Sequence, residues 1–196
     1  MSRKLTIDDI ADLRAYERER SEFRSRVIEI KRRRRIAVGT VITMIFENRD
    51  TVRLQIQEMA RVEKILTDEG IQTELDIYNP LIPERGHLCA TVFIELTSDD
   101  QMREWLPRLV GIERSFVLRL ADGTSVRCRP EEQHESQLTR EEVTAAVHYV
   151  TFDFTPEQIE SARKGSIVLE CDHPAYREEI LLADETVGEL LADLAD

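Results

Sequence analysis

The spacing of apolar residues predicts an amphipathic arm and a long helix early in the chain. Over residues 7–30, apolar side chains recur every three or four positions with charged residues between them, as in an amphipathic helix. A second apolar stripe follows over residues 52–66. Asn48 or Asp50 is suited to cap this second helix at its start, and Gly70 to end it. We therefore expect two helices that each bury one face.

The apolar run over residues 41–46 is too short for its periodicity to distinguish a strand from a helix. Its β-branched residues favour a buried strand. Residues 71–78 predict a further short helix, and the turn-forming residues of 79–86 predict a connector. We therefore expect residues 1–80 to be mainly helical and to carry the basic arm.

From residue 88 onwards, the pattern predicts strands alternating with helices. Alternation of apolar residues marks strands over residues 88–96, 116–120, 126–128, 147–154 and 167–171. Capping-box patterns at Ser98–Gln101 and Thr155–Gln158 each begin a helix directly after a strand. The polar segment 130–139 predicts an exposed loop, and residues 185–194 predict an acidic helix.

The connection between the second and third of these strands has two solutions. A two-residue turn at Asp122-Gly123 would place Leu118 opposite Arg127 and mix the two faces of the hairpin. A three-residue loop with Gly123 in the left-handed conformation pairs Leu118 with Val126 instead. Because only the longer loop keeps apolar residues on one face, we predict that loop.

Together these elements predict an α+β fold. We expect a mostly antiparallel sheet with helices on one face, loosely a ferredoxin-like plait with an extra strand, and a helical N-terminal region. Residues 81–196 would form the α+β body, joined to residues 1–80 in one compact unit. The seven glycines form no phosphate-binding loop, which argues against the common nucleotide-binding folds.

Composition places this fold in a soluble, reducing setting. With 196 residues, 41% of them hydrophobic, the chain can bury a core, and it has no run of about 20 apolar residues for a membrane helix. The N-terminus shows charged residues in place of the apolar stretch of a secretory signal. Three widely spaced cysteines argue against a disulfide framework. We therefore expect a cytoplasmic protein.

The net charge of −12 conceals an uneven distribution. Residues 1–60 hold 14 basic and 10 acidic residues, whereas residues 61–196 hold 13 basic and 29 acidic ones. The basic excess centres on Lys31–Arg35, where no aromatic residues are interleaved to stack on bases. Because an acidic body repels other polyanions, we expect this run to meet the protein's own acidic part, or an acidic partner, rather than nucleic acid.

Two pairs of residues have the chemistry of metal ligands: His87 with Cys89, and Cys171 with His173. Residues two apart on a strand face the same side, so each pair presents two ligands together. If the two strands are antiparallel neighbours, all four converge on a set suited to zinc, with iron as the other candidate. Against this, Cys171 continues the apolar face of its strand, as a core cysteine would.

A second candidate site combines the long helix with the end of the last predicted strand. Glu58 and Arg61 lie on a polar flank of the helix, and His173 and Tyr176 join an imidazole to a phenol in a tight turn. An acid–base pair in a pocket between the helix and the sheet is one interpretation. A solvated helix face and a histidine satisfied at a strand end form the alternative.

Two short stretches carry a family resemblance. Residues 46–59 read FENRDTVRLQIQEM and residues 173–176 read HPAY. On these, and over nearly its whole length, the chain resembles an uncharacterised bacterial family of domains of unknown function. The resemblance supplies no catalytic residues. It implies a role beside a redox or oxidative-stress system, since genes of that family lie near those of rubrerythrin-like and heterodisulfide-reductase-like iron–sulfur proteins.

Two hypotheses about function follow from these features. The first is a cytoplasmic accessory protein that binds a protein partner, such as an iron–sulfur or rubrerythrin-like protein, through its amphipathic arm and charged faces. The second is a metal-binding protein or an enzyme with a pocket between the long helix and the sheet. A homodimer is compatible with both hypotheses, and the sequence does not decide whether the protein is an enzyme.

Overall fold

The computed structural model describes residues 3–131 and 143–195. Within these ranges the strands are β1 (Arg35–Val38), β2 (Ile42–Phe46), β3 (His87–Ile94), β4 (Phe116–Arg119), β5 (Ser125–Pro130), β6 (Val147–Asp153), β7 (Val168–His173) and β8 (Tyr176–Leu181). The α-helices are α1 (Leu13–Arg34), α2 (Arg49–Glu63), α3 (Asp68–Tyr78), α4 (Asp99–Arg108), α5 (Pro156–Ala162) and α6 (Asp184–Ala195). Single 3₁₀ turns occur at Ile7–Asp9, Asn79–Leu81 and Ile112–Arg114.

The strands form one antiparallel sheet that curls into a nearly closed barrel. Their order is β1-β2-β3-β6-β5-β4-β7-β8, and each neighbouring pair is antiparallel. The first strand, β1, comes back to within contact distance of β7 and β8. Alternate residues, such as Val92 on β3, Leu118 on β4 and Phe152 on β6, point inward and make one continuous core. Residues of the later helices, such as Ala162 of α5 and Leu190 of α6, belong to this same core, whereas Thr91 and Phe93 of β3 point outward towards α2.

The mixed α and β composition and the antiparallel sheet are confirmed, whereas the ferredoxin-like plait is not. The pattern of apolar residues did not predict β1 or β8 as strands. β1 is only four residues long and begins inside the basic run, and the middle of β8 is a run of three exposed charged residues, so neither was recognisable as a strand from its apolar residues. These strands extend the sheet at both ends until its edges approach. The sheet is also continuous across residue 80, because β2 pairs with β3.

Several local predictions are confirmed. Residues 42–46 form a strand that is buried throughout its length. Leu118 pairs with Val126, and Gly123 has a φ of 86°, which a residue with a side chain rarely adopts. The loop expected over residues 130–139 lies largely outside the described residues. No helix among the described residues is both long enough and apolar enough to span a bilayer.

The amphipathic arm exists, and its apolar face is already covered. α1 begins at Leu13 because the Asp12 side chain accepts a hydrogen bond from the Ala15 N–H at 2.8 Å. Its apolar residues Tyr16, Phe23 and Val27 are buried together with Leu54 of α2. The apolar face of the arm therefore packs on the protein's own body, whereas binding of a partner through the arm and the charged faces stays a prediction.

Two side-chain amides, of the buried Gln57 and the half-buried Asn79, hold the N-terminal segment against the helices. Gln57 accepts a hydrogen bond from the Ala11 N–H and donates one to the Ala11 carbonyl, at 2.8 and 3.1 Å. Asn79 does the same with Leu5, at 2.8 and 2.9 Å. Each amide bonds both the N–H and the carbonyl of one backbone residue, as a neighbouring strand would. These backbone groups would otherwise lack a hydrogen-bond partner.

The long helix ends earlier than its apolar stripe predicts. α2 stops at Glu63, where Lys64 takes the left-handed conformation with a φ of 57°. Thr67 then caps α3 by accepting from the Gly70 N–H, so Gly70 lies inside α3 rather than after α2. As a result Leu66, predicted to be part of the buried stripe, is 81% exposed.

The basic run meets the protein's own acidic C-terminal helix, as predicted. Arg34 is buried and binds Asp193 at 2.5 Å and Glu189 at 2.9 Å. Arg33 binds Glu189 at 3.1 Å, and Arg32 lies 3.7 Å from Glu185. Three of the five cations are thereby neutralised within the chain, which removes much of the charge that would attract a polyanion.

Candidate functional site

A cavity of about 230 Å³ lies between α2 and the outer face of the sheet. Its walls come from α1, α2, α3 and the strands β3 and β6, and the lining residues are Lys31, Glu47, Thr51, Val52, Gln55, Tyr78, Leu81, Thr91, Phe93, Val147 and Tyr149. The lining combines an aromatic and aliphatic surface with a few polar groups, which is the composition typical of small-molecule sites. A pocket at this place was one of our predictions, but its walls are made by other residues than those predicted.

The central polar group of the cavity is the Glu47 carboxylate. Glu47 follows β2 and directly precedes the N-cap of α2, so its side chain is held at a helix start. Thr51 donates a hydrogen bond to Oε2 at 2.5 Å, and Thr91 donates one to Oε1 at 2.6 Å. Both carboxylate oxygens of Glu47 therefore accept a short hydrogen bond from a threonine hydroxyl.

No basic side chain in the described part of the chain forms an ion pair with Glu47. The residue is only 8% exposed, and among the described residues it forms no ion pair. Buried carboxylates are usually paired with a cation, because burial in a low dielectric penalises an isolated charge. The cavity therefore contains a carboxylate, and hydroxyl groups fix the direction of its two oxygens.

Aromatic rings line the same cavity as Glu47. Burial raises the pKa of Tyr149 to about 12, with the charges of Tyr78 and Glu47 adding to the effect, so its phenol stays protonated at neutral pH. Phe93 lies on β3, next to the β6 strand that carries Tyr149. The faces of such rings carry partial negative charge and attract cations.

Lys31 brings a positive charge to the same cavity. It stands first in the basic run, one turn before the end of α1, and it is half-buried. Its neighbours in the run pair with α6, whereas Lys31 forms no ion pair with any residue in the described part of the chain. Its ammonium group also lies beyond ion-pair distance of Glu47. Among the described residues, the cavity lining therefore contains one group of each charge, and the two do not neutralise each other directly.

Glu58 and Arg61, predicted as site residues, instead tie α2 to α1. Glu58 accepts hydrogen bonds from the Tyr16 hydroxyl at 2.7 Å and from Arg20 at 2.8 and 3.0 Å. Arg61 lies 3.4 Å from Glu58 and 3.9 Å from Glu17 on α1. The Arg20 hydrogen bond lowers the pKa of Glu58 to about 2. This is a network that holds two helices together.

This network predicts a pH-dependent contribution to stability. Because the pKa of Glu58 is lower in the folded protein than in the unfolded chain, its stabilisation is complete above pH 5 and is lost as the pH falls towards 2. After allowance for partial solvent screening, we expect Glu58→Gln to lower the free energy of unfolding by about 1–2 kcal/mol at pH 7. Urea unfolding between pH 7 and 2.5 should show this difference shrinking. Glu17→Gln, at an exposed carboxylate on the neighbouring helix, is the control; an equal pH dependence in that variant would contradict the assignment.

His173 and Tyr176 lie elsewhere, in and beside the turn between β7 and β8. His173 donates from Nε2 to the Val110 carbonyl at 3.1 Å and accepts at Nδ1 from the Ala175 N–H at 3.2 Å. Both ring nitrogens are therefore used within the fold. The structure does not bring this histidine together with Glu58 and Arg61, and the four predicted site residues share no common partner.

Tyr176 joins the two edges of the barrel, and this junction between β8 and the β1–β2 turn is the barrel seam. Its hydroxyl donates to the Val38 carbonyl at 2.7 Å and accepts from the N–H groups of Thr40 and Val41 at 2.9 and 3.2 Å. Gly39 lies in this turn with a φ of 69°, and a Cβ at that position would stand 2.3 Å from the hydroxyl oxygen. The phenol thus joins β8 to the β1–β2 turn, which is a structural task.

The four predicted metal ligands are not brought together. The premise that their strands are neighbours is wrong, because β6, β5 and β4 lie between β3 and β7. His87 binds Asp153 at 2.6 Å on the outer face, whereas Cys171 points into the core and donates to the Tyr176 carbonyl. Among the described residues no group of three His, Cys, Asp or Glu side chains is arranged to hold a metal ion.

The three cysteines are buried, and the pKa of each thiol is raised. Burial raises the pKa of Cys128 to about 12 and those of Cys89 and Cys171 to about 11. Because the thiolate is the reactive form, none of the three is suited to nucleophilic or redox chemistry at neutral pH. Cys128 lies in the core, as its alternation with Val126 predicts.

Comparisons with known proteins find a family and a solved structure that are both described as of unknown function. The family described as "Protein of unknown function (DUF3501)" matches residues 4–194. A crystal structure described as a novel protein of unknown function from Burkholderia pseudomallei K96243 is 36% identical in sequence, with a TM-score of 0.89. That similarity covers 97% of this chain and 99% of the other. No curated protein matches the chain.

Proposed function

This chain belongs to the DUF3501 family of proteins of unknown function, as residues 46–59 indicated, and we propose that it binds a small organic cation in the cavity between α2 and the sheet. The observation that carries the proposal is the buried Glu47 carboxylate, which faces this cavity without a basic partner among the described residues. A bound ammonium or similar cation would supply the missing positive charge.

The energetics of burial favour this function over a purely structural role for Glu47. Two hydroxyl hydrogen bonds stabilise a carboxylate but do not cancel its charge, so the desolvation cost is only partly offset. A fold that needed only a well-packed helix start would gain from an apolar or neutral residue here. A site that must attract a cation, in contrast, requires the charge.

Size and lining narrow the class of ligand. At about 230 Å³ the cavity is smaller than the roughly 300–1,000 Å³ typical of drug-sized ligands, so it suits a small metabolite. The rings of Phe93, Tyr78 and Tyr149 can enclose an apolar body or a cationic head group. A small amine with an apolar skeleton satisfies both the charge and the surface.

The test is ligand binding by the protein and by a variant without the charge. Primary alkylamines of two to six carbons and benzylamine would be titrated by calorimetry, with the matching alcohols as neutral analogues. We expect amines to bind and alcohols to bind at least tenfold more weakly. Glu47→Gln keeps the shape and a polar terminus for the two threonines, and it should weaken amine binding at least tenfold.

A matched control separates this effect from general changes in charge. Glu69→Gln removes an exposed carboxylate from α3, outside the cavity, and should leave amine binding unchanged. Urea unfolding of the Glu47→Gln variant should give a free energy within about 1 kcal/mol of the unaltered protein, since a buried charge is removed and no cavity is created. The proposal fails if no amine binds, or if Glu47→Gln binds amines as well as the parent protein does.

The accessory role predicted from the resemblance stays a prediction, together with its iron–sulfur or rubrerythrin-like partner, the cytoplasmic location and the homodimer. An exposed apolar pair on the surface, Val62 and Leu66, supports a protein contact of this kind. Such a contact lies away from the cavity lining, so the two roles are compatible.

A further inference from the structure

The cavity holds charged groups of both signs, and from this we infer that its ligand is a zwitterion: a small amino acid or related amino carboxylate with an apolar body. This inference rests on the proposed function and extends it to a ligand class. Glu47 would bind the ammonium group, and Lys31 would bind the carboxylate. The aromatic and aliphatic walls would contact the carbon skeleton.

The pairing pattern along the basic run singles out Lys31. Arg32, Arg33 and Arg34 all reach acidic residues of the C-terminal helix, whereas the side chain of Lys31 lines the cavity instead. Residues 61–196 carry 16 more acidic than basic residues, so acidic partners are abundant. A lysine that lines a cavity and forms no ion pair with any described residue of such a body is available to a bound anion.

The two charges are placed so that one ligand can use both. Lys31 and Glu47 line the same small cavity but lie beyond ion-pair distance of each other, so they do not neutralise each other in direct contact. A ligand with only an ammonium group would satisfy Glu47 and would be repelled by Lys31. A ligand with only a carboxylate would satisfy Lys31 and would be repelled by Glu47. An amino carboxylate satisfies both groups at once.

The remaining lining is consistent with this ligand class. Gln55, at the polar side of α2, can donate to or accept from either end of the ligand. Val52, Leu81 and Val147 offer no hydrogen-bonding groups in their side chains, so they favour an aliphatic or aromatic ligand side chain over a charged one. Small apolar amino acids and short ω-amino acids both fit this description.

The experiment compares ligands that share a carbon skeleton. Glycine, alanine, valine, leucine and γ-aminobutyrate would each be titrated against the full-length protein, together with the amine and the carboxylate of the same skeleton. We expect at least one amino carboxylate to bind at least tenfold more tightly than its amine, and its carboxylate analogue to bind most weakly.

Variants of Lys31 test the assigned role directly. Lys31→Gln should weaken the amino carboxylate at least tenfold and leave the amine unchanged or bound more tightly, because the repulsion is removed. Lys31→Arg should retain most of the preference, and Lys64→Gln, at an exposed lysine outside the cavity, should retain all of it. A purely structural Lys31 would change the melting temperature without changing this ratio of affinities.

The outcomes for the two proposals are distinguishable. If amines bind through Glu47 but no amino carboxylate binds more tightly than its amine, the zwitterion inference is overturned and the proposed function stands. An unchanged affinity ratio in Lys31→Gln overturns the inference in the same way. If neither amines nor amino carboxylates bind, both proposals fail.

Discussion

Replacing Arg34 with methionine is expected to lower the free energy of unfolding by about 3–5 kcal/mol, the range measured when one member of a buried ion pair is removed. The Arg34 side chain is 3% exposed and lies between the end of α1 and the C-terminal helix. It donates to both oxygens of Asp193 and to Glu189. Without it, the Asp193 carboxylate loses the guanidinium that binds both of its oxygens, and Glu189 keeps only its ion pair with Arg33.

Urea unfolding at pH 7 provides the measurement, and the same basic run provides the control. Arg32→Met removes a cation that is 64% exposed and whose partners are exposed too, so we expect a loss below about 1 kcal/mol. A further variant that combines Arg34→Met with Asp193→Asn and Glu189→Gln should recover at least half of the loss. Equal losses for Arg34 and Arg32 would contradict the assignment.

Replacing Tyr176 with phenylalanine is expected to cost about 2–4 kcal/mol, because one hydroxyl satisfies three backbone groups at the barrel seam. Its removal leaves the Val38 carbonyl and the N–H groups of Thr40 and Val41 without this partner. Buried groups left unsatisfied cost about 1–3 kcal/mol each, and water reaching the turn offsets part of the total. The ring itself stays, so packing against Trp105 is preserved.

The loss should be measurable both globally and locally. Urea unfolding gives the change in free energy, and amide hydrogen exchange should show weaker protection at Thr40 and Val41 than in the unaltered protein. Tyr78→Phe is the matched control, because the Tyr78 hydroxyl makes no hydrogen bond with a described residue and the change should cost less than about 0.5 kcal/mol. If the amides of Thr40 and Val41 keep their protection from hydrogen exchange in Tyr176→Phe, the hydroxyl does not close the barrel.

Local patterns predicted the elements whose determinants lie within a few residues. The N-cap at Ser98 and the capping box at Thr155 placed the starts of α4 and α5, because a side-chain oxygen and an N–H three residues later suffice to begin a helix. The loop at Gly123 followed from the requirement that apolar residues of two adjacent strands share a face. Charge counting likewise predicted that the basic run would meet the acidic part of the chain.

Local sequence patterns did not predict elements whose position depends on contacts with distant parts of the chain. The middle of β8 is exposed and charged, and β8 is a strand because it pairs with β7 and meets β1 through Tyr176. α2 ends at Lys64 although its apolar stripe continues, because Thr67 offers a better start for α3. The metal site failed for a related reason: spacing determines the face of a strand, but not which strands are neighbours.

The sequence alone determined most helices, the antiparallel hairpin, the internal partner of the basic run and the family. These follow from hydrogen-bonding and burial preferences that act over a few residues, and from the sum of charges. Only the tertiary structure decided the closure of the barrel and the site. Tyr176 and Val38 meet across 138 residues of chain, and Glu47 faces Thr91 across 44. Glu47 and Lys31 carry no local signature of the proposed site, because a charged residue becomes a candidate binding group only when folding places it beside a cavity.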